Sequence, residues 1–293
     1  MAKRASEEGK NKTPRYGLIR AEVGNMLYVL LVGLLLSLHQ PAFAADTISF
    51  AAFDYGFFGP DSVPSGVATV EIVNRGHELH HAQLIRLLEG KTAQNFEEAL
   101  KADPFSFPKW ALLAGGPNAV IPGEQATAIM KLEPGNYLVI CLIPDKQNIP
   151  HVALGMAKPF QVVGNPQTAE LPSGSLRIGE LDFSFSIPAP IAPGHHIIRV
   201  RNNGAAPHEV VLVQLPPAVS IADFARAAAN PGSAPPPGKP VGGVTGLQPG
   251  AEAAFTAELV PGKYGLICFF PDERGAPHFT RGMMAEFTVA SNR

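Results

Sequence analysis

Only two cysteines, Cys141 and Cys268, occur in 293 residues, so at most one disulfide can form and a densely cross-linked scaffold is excluded. Charged residues are scarce at 16%, against 46% hydrophobic, which excludes wholesale disorder and leaves material for real cores. No basic run with interleaved aromatics is present, so nucleic acid is not an expected partner. The apolar run from Met26 to Leu38 has 13 residues, short of the ~20 that a membrane span needs. Serine-hydrolase, phosphate-loop and zinc-protease motifs are missing. Gly and Pro, at 29 each, show no collagen period and read as turn punctuation.

The N-terminus carries a basic stretch (Lys3, Arg4, Lys10, Lys12, Arg15, Arg20) that leads into the apolar run. Ala42-Phe43-Ala44 follows as an A-x-A cleavage signature. Residues 1–44 are expected to be a signal peptide, or an anchor if uncleaved. The remainder is then periplasmic or otherwise extracytoplasmic, and meets a membrane only through an uncleaved segment. The leader carries +3 and the remainder −5, so the exported part is mildly acidic.

That part contains one unit twice. Pro134 to Val162 and Pro261 to Val289 share 13 of 29 positions without a gap. Asn74-Arg75-Gly76 through His80 matches Asn202-Asn203-Gly204 through His208, and Gly115-Gly116 matches Gly242-Gly243, both pairs read as turns. The units are residues 46–163 and 176–290, joined by a polar linker over 164–175. Each reads as short strands between Asn, Gly and Pro turns, with Val67 to Val73, His196 to Val200, Val210 to Leu215, Tyr137 to Leu142 and Tyr264 to Phe269 the clearest. One helix is expected in each unit, around Phe96 and after Ser220, where Ser220 and Asp223 resemble a capping box. Many short strands with regular turns favour an all-β sandwich or barrel.

Each unit then offers the same four metal-binding side chains: His80, Cys141, His151 and Met156 in the first, His208, Cys268, His278 and Met283 in the second. Each alone has a plain explanation as core filler or strand end. Their recurrence as a set, where neighbours have diverged, points to a metal. Two imidazoles, a thiolate and a weak thioether suit a mononuclear copper, with the soft sulfurs favouring Cu(I). Disulfide pairing loses ground, because equivalent positions in two domains rarely come within bridging distance.

These signatures resemble the cupredoxins, the plastocyanin and azurin group of type 1 copper proteins. Asn202 to Val211 is similar to the family's Asn-rich turn, Pro-His and Val-rich strand. Pro261-Gly262-Lys263-Tyr264 leading to Cys268 resembles its cysteine strand, and His278 with Met283, like His151 with Met156, keeps its His-x4-Met spacing. The resemblance implies a Greek-key β-sandwich in each half, copper held by the eight residues above, and one-electron transfer with a redox protein partner through an exposed edge of His151 or His278. Two departures stand out. Nine residues separate Cys from His in both copies, and His81 or Glu209 replaces the family's small polar residue after the first His. Rival readings are a metal-free or Cu(I)-carrying scaffold and a two-domain copper reductase using His195 or His196. The remaining histidines of the exported part, His77, His81, His195 and His196, lack the number and His-x-His motifs of a trinuclear multicopper centre.

Overall fold

The computed structural model describes residues 46–102, 107–230 and 235–291, so the expected signal segment lies outside the described residues. The first half runs β1 (Thr47–Phe53), β2 (Gly56–Phe58), β3 (Ser62–Pro64), β4 (Gly66–Asn74), β5 (Gln83–Leu87), α1 (Ala93–Ala102), β6 (Ala111–Leu113), β7 (Gln125–Leu132), β8 (Gly135–Ile140), a 3-10 turn (His151–Leu154) and β9 (Ala157–Val163). The second runs β10 (Leu176–Leu181), β11 (Ser184–Ser186), β12 (Gly194–Asn202), β13 (His208–Leu215), α2 (Ile221–Ala228), β14 (Lys239–Leu247), β15 (Glu252–Leu259), β16 (Gly262–Ile267), a 3-10 turn (His278–Arg281) and β17 (Met284–Val289).

The outcome is all-β, as the pattern requires. In β4 every second residue is buried, the period-2 signature of a strand with one face on a core. Its partner β12 in the second half follows the same rule over most of its length. In each half the chain crosses between two layers, giving two tandem β-sandwiches. The layers β3-β9-β8-β5-β6 and β14-β13-β16-β17 are separate sheets. The other two layers fuse into one eight-stranded sheet, ordered β11-β10-β12-β15-β7-β4-β1-β2. The seam is an antiparallel pairing of β7 with β15, Ile129 opposite Ala254 and Ala128 opposite Phe255. One apolar cluster, including Phe50, Ile72, Val139, Leu212 and Phe255, continues through both halves.

A second seam lies closer to the predicted ligands. Pro117 bridges Val244 and Ala114 bridges Leu247. Thr245 N–H donates to the Gly116 carbonyl at 2.9 Å, and Gly115 N–H to the Gly246 carbonyl at 3.0 Å. Gly242-Gly243 lies inside β14 rather than in a turn, because it pairs with Leu212 and Val211 of β13 in its own half. Both helices form. Ser220 and Asp223 make the reciprocal capping bonds at 3.1 and 3.0 Å. Phe96 anchors α1 by its fully buried ring, against Trp110 and Phe107.

Both cysteines are free and buried, so the disulfide is absent. They stand just past the ends of β8 and β16, not within those strands. The side chains are thereby aimed at the loops that follow the strands, where the second histidines lie.

Candidate metal centres

The first histidine of each half is set by an asparagine at the end of the preceding strand. Asn74 accepts from Gly76 N–H at 2.9 Å and donates to the carbonyls of Glu78 and Val120 at 2.7 and 2.8 Å. Asn202 does the same with Gly204 (2.9 Å), Ala206 (2.9 Å) and Leu247 (2.9 Å). One amide thus satisfies a turn that would otherwise leave buried polar groups unpaired. His80 and His208 follow, both fully buried.

The long Cys-to-His connection returns as a closed hairpin. Pro144 pairs with Pro150, and Pro271 with Pro277. Asp145 Oδ1 accepts from Gln147 and Ile149 N–H at 2.9 and 2.8 Å. Asp272 Oδ1 does likewise for Arg274 and Ala276 at 2.9 and 3.0 Å. The base is laced by His151 N–H to the Ile143 carbonyl (2.9 Å) and Met156 N–H to the His151 carbonyl (2.9 Å), and Cys141 N–H donates to the Met156 carbonyl at 3.3 Å. Extra residues are absorbed in this loop, and the histidine comes back to its cysteine.

Three donors converge in each half. His80 Nδ1 lies 3.2 Å from His151 Nδ1, and the Cys141 sulfur is 3.5 Å from His151 Nδ1 and 4.0 Å from His80 Nδ1. In the second half the two Nδ1 atoms are 3.1 Å apart and the Cys268 sulfur is 3.6 Å from His278 Nδ1. A three-coordinate ion with bonds of about 2.0–2.3 Å separates its donors by about 3.5–3.7 Å. Met156 and Met283 are both fully buried and tied by backbone bonds to the same cysteines, Met283 through the bond that its carbonyl accepts from Cys268 at 3.2 Å.

The outer ring nitrogens fix which atoms face inward. His80 Nε2 meets Asp54 Oδ1 at 3.1 Å, His208 Nε2 meets Asp182 Oδ1 at 2.9 Å, and His151 Nε2 meets Glu78 Oε2 at 2.9 Å. Burial alone would raise the Asp54 acid, but bonds from His77, His80 and the Glu78 backbone outweigh it and hold the carboxylate ionised. The bond from His208, with the Ala205 and Ala206 amides, lowers Asp182 too. An ionised carboxylate only accepts, so each outer nitrogen carries the proton and Nδ1 carries the lone pair. Burial lowers His80 and His208, and lowers His278 to about 4 with help from the charge of His208. In the first centre, rings so held point lone pairs at one another, which is favourable only with a cation or proton between them. The thiol beside each pair makes three convergent donors, and a soft cation answers all three. Burial pushes the Cys141 thiol up to about 12 and the Cys268 thiol well above its usual range. Without a nearby cation, each sulfur therefore keeps its proton.

The halves differ at one outer partner. Position 78 is Glu but its repeat equivalent is Ala206, so among the described residues His278 Nε2 has no carboxylate partner. Phe183 and Arg281 cover that ring instead, Phe183 at 5.1 Å between centroids and the Arg281 guanidinium 3.5 Å above Phe183. Replacing Glu78 by Ala is expected to weaken copper at the first centre by about 10–100-fold and leave the second unchanged. Competition titration of each centre against a chelator measures this.

The expected exposed imidazole edges are not found. His151 and His278 are 0% and 1% exposed. Tyr55 stands edge-on to His151 at 5.3 Å, the role that Phe183 plays in the second half. An aromatic at this position shields each ring from water. The other histidines do not gather into a third site among the described residues, where the two triads are the only such groups. His77 is on the surface, bonded to Asp54. His195 is exposed near Glu258, and His196 is spent on Ser175 and the Ala192 carbonyl.

Asp54 and Asp182 were missed by sequence reasoning although a signal existed. Phe53-Asp54-Tyr55 and Leu181-Asp182-Phe183 occupy equivalent places in the repeat. Glu78 and Asn118 have no like partner in the other copy, so the repeat could not single them out.

No protein-family model matches the chain, and no curated protein matches it. Among solved structures, reduced auracyanin from the photosynthetic bacterium Roseiflexus castenholzii is 22% identical, over 41% of this chain and 99% of that one, with a TM-score of 0.30. A blue copper oxidase from Nitrosomonas europaea is 15% identical over 83% of this chain and 86% of that one, at 0.26. A copper nitrite reductase from the same organism is 14% identical over 84% and 93%, at 0.24. The first aligns with about two fifths of the chain's length and the other two with most of it.

Proposed function

We propose that this chain is an exported protein that binds one copper in each half and passes single electrons to a protein partner. His80, Cys141 and His151 hold the first, with Met156 as weak axial donor. His208, Cys268 and His278 hold the second, with Met283. The observation that carries this reading is the pair of buried triads, with carboxylates turning the lone pairs of His80, His151 and His208 inward beside a thiol.

When bound, copper supplies one-electron redox between its two common oxidation states. The chain does the rest. Asp54, Asp182 and Glu78 lock ring orientation, so the imidazoles need not swing when the charge changes. The laced hairpins after each cysteine hold the sulfur and the second histidine on one rigid base. Tyr55 and Phe183 keep water from the rings, which cuts solvent rearrangement. A partner would approach the first centre over Tyr55 and Ile149, both exposed beside His151.

The test is titration of the purified metal-free protein with Cu(II). Two coppers per chain and an intense visible band that a one-electron reductant bleaches reversibly are expected. Colourless Cu(I) binding without that band would shift the reading to copper carriage, and no copper uptake would end it.

A further inference from the structure

The residues after the two first histidines, His81 and Glu209, are equivalent in the repeat, differ in type, and are both buried. Each performs the same task. His81 Nε2 accepts from Leu142 N–H at 2.7 Å, and Glu209 Oε1 accepts from Phe269 N–H at 3.1 Å. Leu142 and Phe269 directly follow Cys141 and Cys268. Since His81 Nε2 accepts, its Nδ1 carries the proton and donates to Asn118 Oδ1 at 3.3 Å. Asn118 Nδ2 then donates to Glu209 Oε2 at 3.1 Å.

These four hydrogen bonds close an unbroken line from one cysteine to the other: Cys141, the Leu142 amide, His81, Asn118, Glu209, the Phe269 amide, Cys268. His81, Asn118 and Glu209 are 5%, 2% and 6% exposed, so water does not interrupt it. Asn118 crosses the seam between the halves, and Thr245 stands at its repeat equivalent, so this link is made once and not by symmetry. Polar side chains buried at a seam between two apolar cores cost desolvation that three hydrophobic residues would not.

We propose that His81, Asn118 and Glu209 form an internal conduit through which one electron passes between the two centres. The inference rests on the copper reading above. The centre that gives the electron is oxidised by one unit and the one that takes it is reduced by one. No bond breaks, and no proton or atom leaves the molecule. Electronic coupling decays less steeply along covalent and hydrogen bonds than across a packing gap, and a contiguous low-dielectric network is the kind of link that carries it.

The experiment uses the full chain loaded with copper and a photoreduced flavin as reductant. Cys141→Ser and Cys268→Ser supply the bleaching trace of each centre alone. The two centres open on different surroundings, the second on a cleft lined by Lys109, Pro207, Pro271 and Arg274, so the flavin reaches them at different rates. With the conduit working, the slower centre bleaches faster in the two-centre protein than it does alone. Asn118→Leu, which keeps the side-chain volume, is expected to slow that exchange by an order of magnitude or more and return the trace to the sum of the single-centre traces. Glu209→Gln changes one atom, cannot accept from both amide donors at once, and serves if Asn118→Leu does not fold. In metal-free protein, Asn118→Leu is also expected to move the amide resonances of both Leu142 and Phe269. A two-centre trace that already equals the sum, or exchange that survives a folded variant unchanged, overturns the conduit. Copper content below two per chain in the unsubstituted protein instead overturns the function reading.

Discussion

Cys141→Ser and Cys268→Ser are each expected to remove one bound copper per chain, and the double variant to remove both. The sulfur is the one donor that serine cannot imitate. Copper in either state bonds a thiolate more strongly than a hydroxyl, while the change in shape is small. The two imidazoles and the weak thioether remain, but without the thiolate they make a weak site. Mass spectrometry of copper per chain measures the loss, and far-ultraviolet circular dichroism checks that the fold persists. Unchanged copper in the folded double variant would refute the ligand assignment.

The same chemistry sets a pH dependence. Because both thiols are protonated at neutral pH and burial pushes them further up, binding must displace the thiol proton. His80, His208 and His278 are lowered by burial, and so are not the source of protons at neutral pH. Affinity is therefore expected to rise about tenfold per pH unit above neutrality, with about one proton released per copper. Release in a weakly buffered solution with an indicator dye reads this directly.

How much of this was legible beforehand follows from what repeats. The copies of His80, Cys141, His151 and Met156 sit at matching places because each half must solve the same packing problem around its centre. The alternation in β4 and the capping box at Ser220 are local signals, and local signals survive into structure when tertiary contacts agree with them. What the sequence hid is what joins unlike residues. His81 and Glu209 look unrelated, yet both receive the amide that follows a cysteine. The type of acceptor is free where only the acceptor atom matters. Asn118 carries no sign of its role, since its partners are 91 residues away in the other half and 37 residues back, just before β5. Burial of His151 and His278 was likewise hidden. Tyr55 and Phe183, which cover them, lie on hairpins formed far earlier in each unit.

The seam that carries Asn118 also yields the largest stability effect. Gly116 and Gly243, equivalent in the repeat, have φ of 142° and 144°, a region that side chains rarely adopt. A Cβ at Gly116 would fall below 3.0 Å from the Ala82 carbonyl oxygen, and one at Gly243 below 3.0 Å from that of Val210. Ala82 and Val210 each stand two residues beyond a first histidine, so the backbone of the ligand strand and that of the seam pass in direct contact. The obstacle is backbone, which cannot rotate away as a side chain would. Gly116→Ala is therefore expected to cost more than about 3 kcal/mol, combining strain with the clash. For a unit of this size that lowers the melting temperature by roughly 6–12 °C. Gly123→Ala is the control. Its φ is 82°, also left-handed, but nothing lies within 4 Å of the added carbon. It should cost only the conformational strain, about 1 kcal/mol. Equal melting temperatures for the two variants would show that the close approach at Gly116 contributes nothing. A large gap would show that, within the first half, the stretch after His80 and the stretch that meets the second half are held in a backbone contact that no side chain can replace.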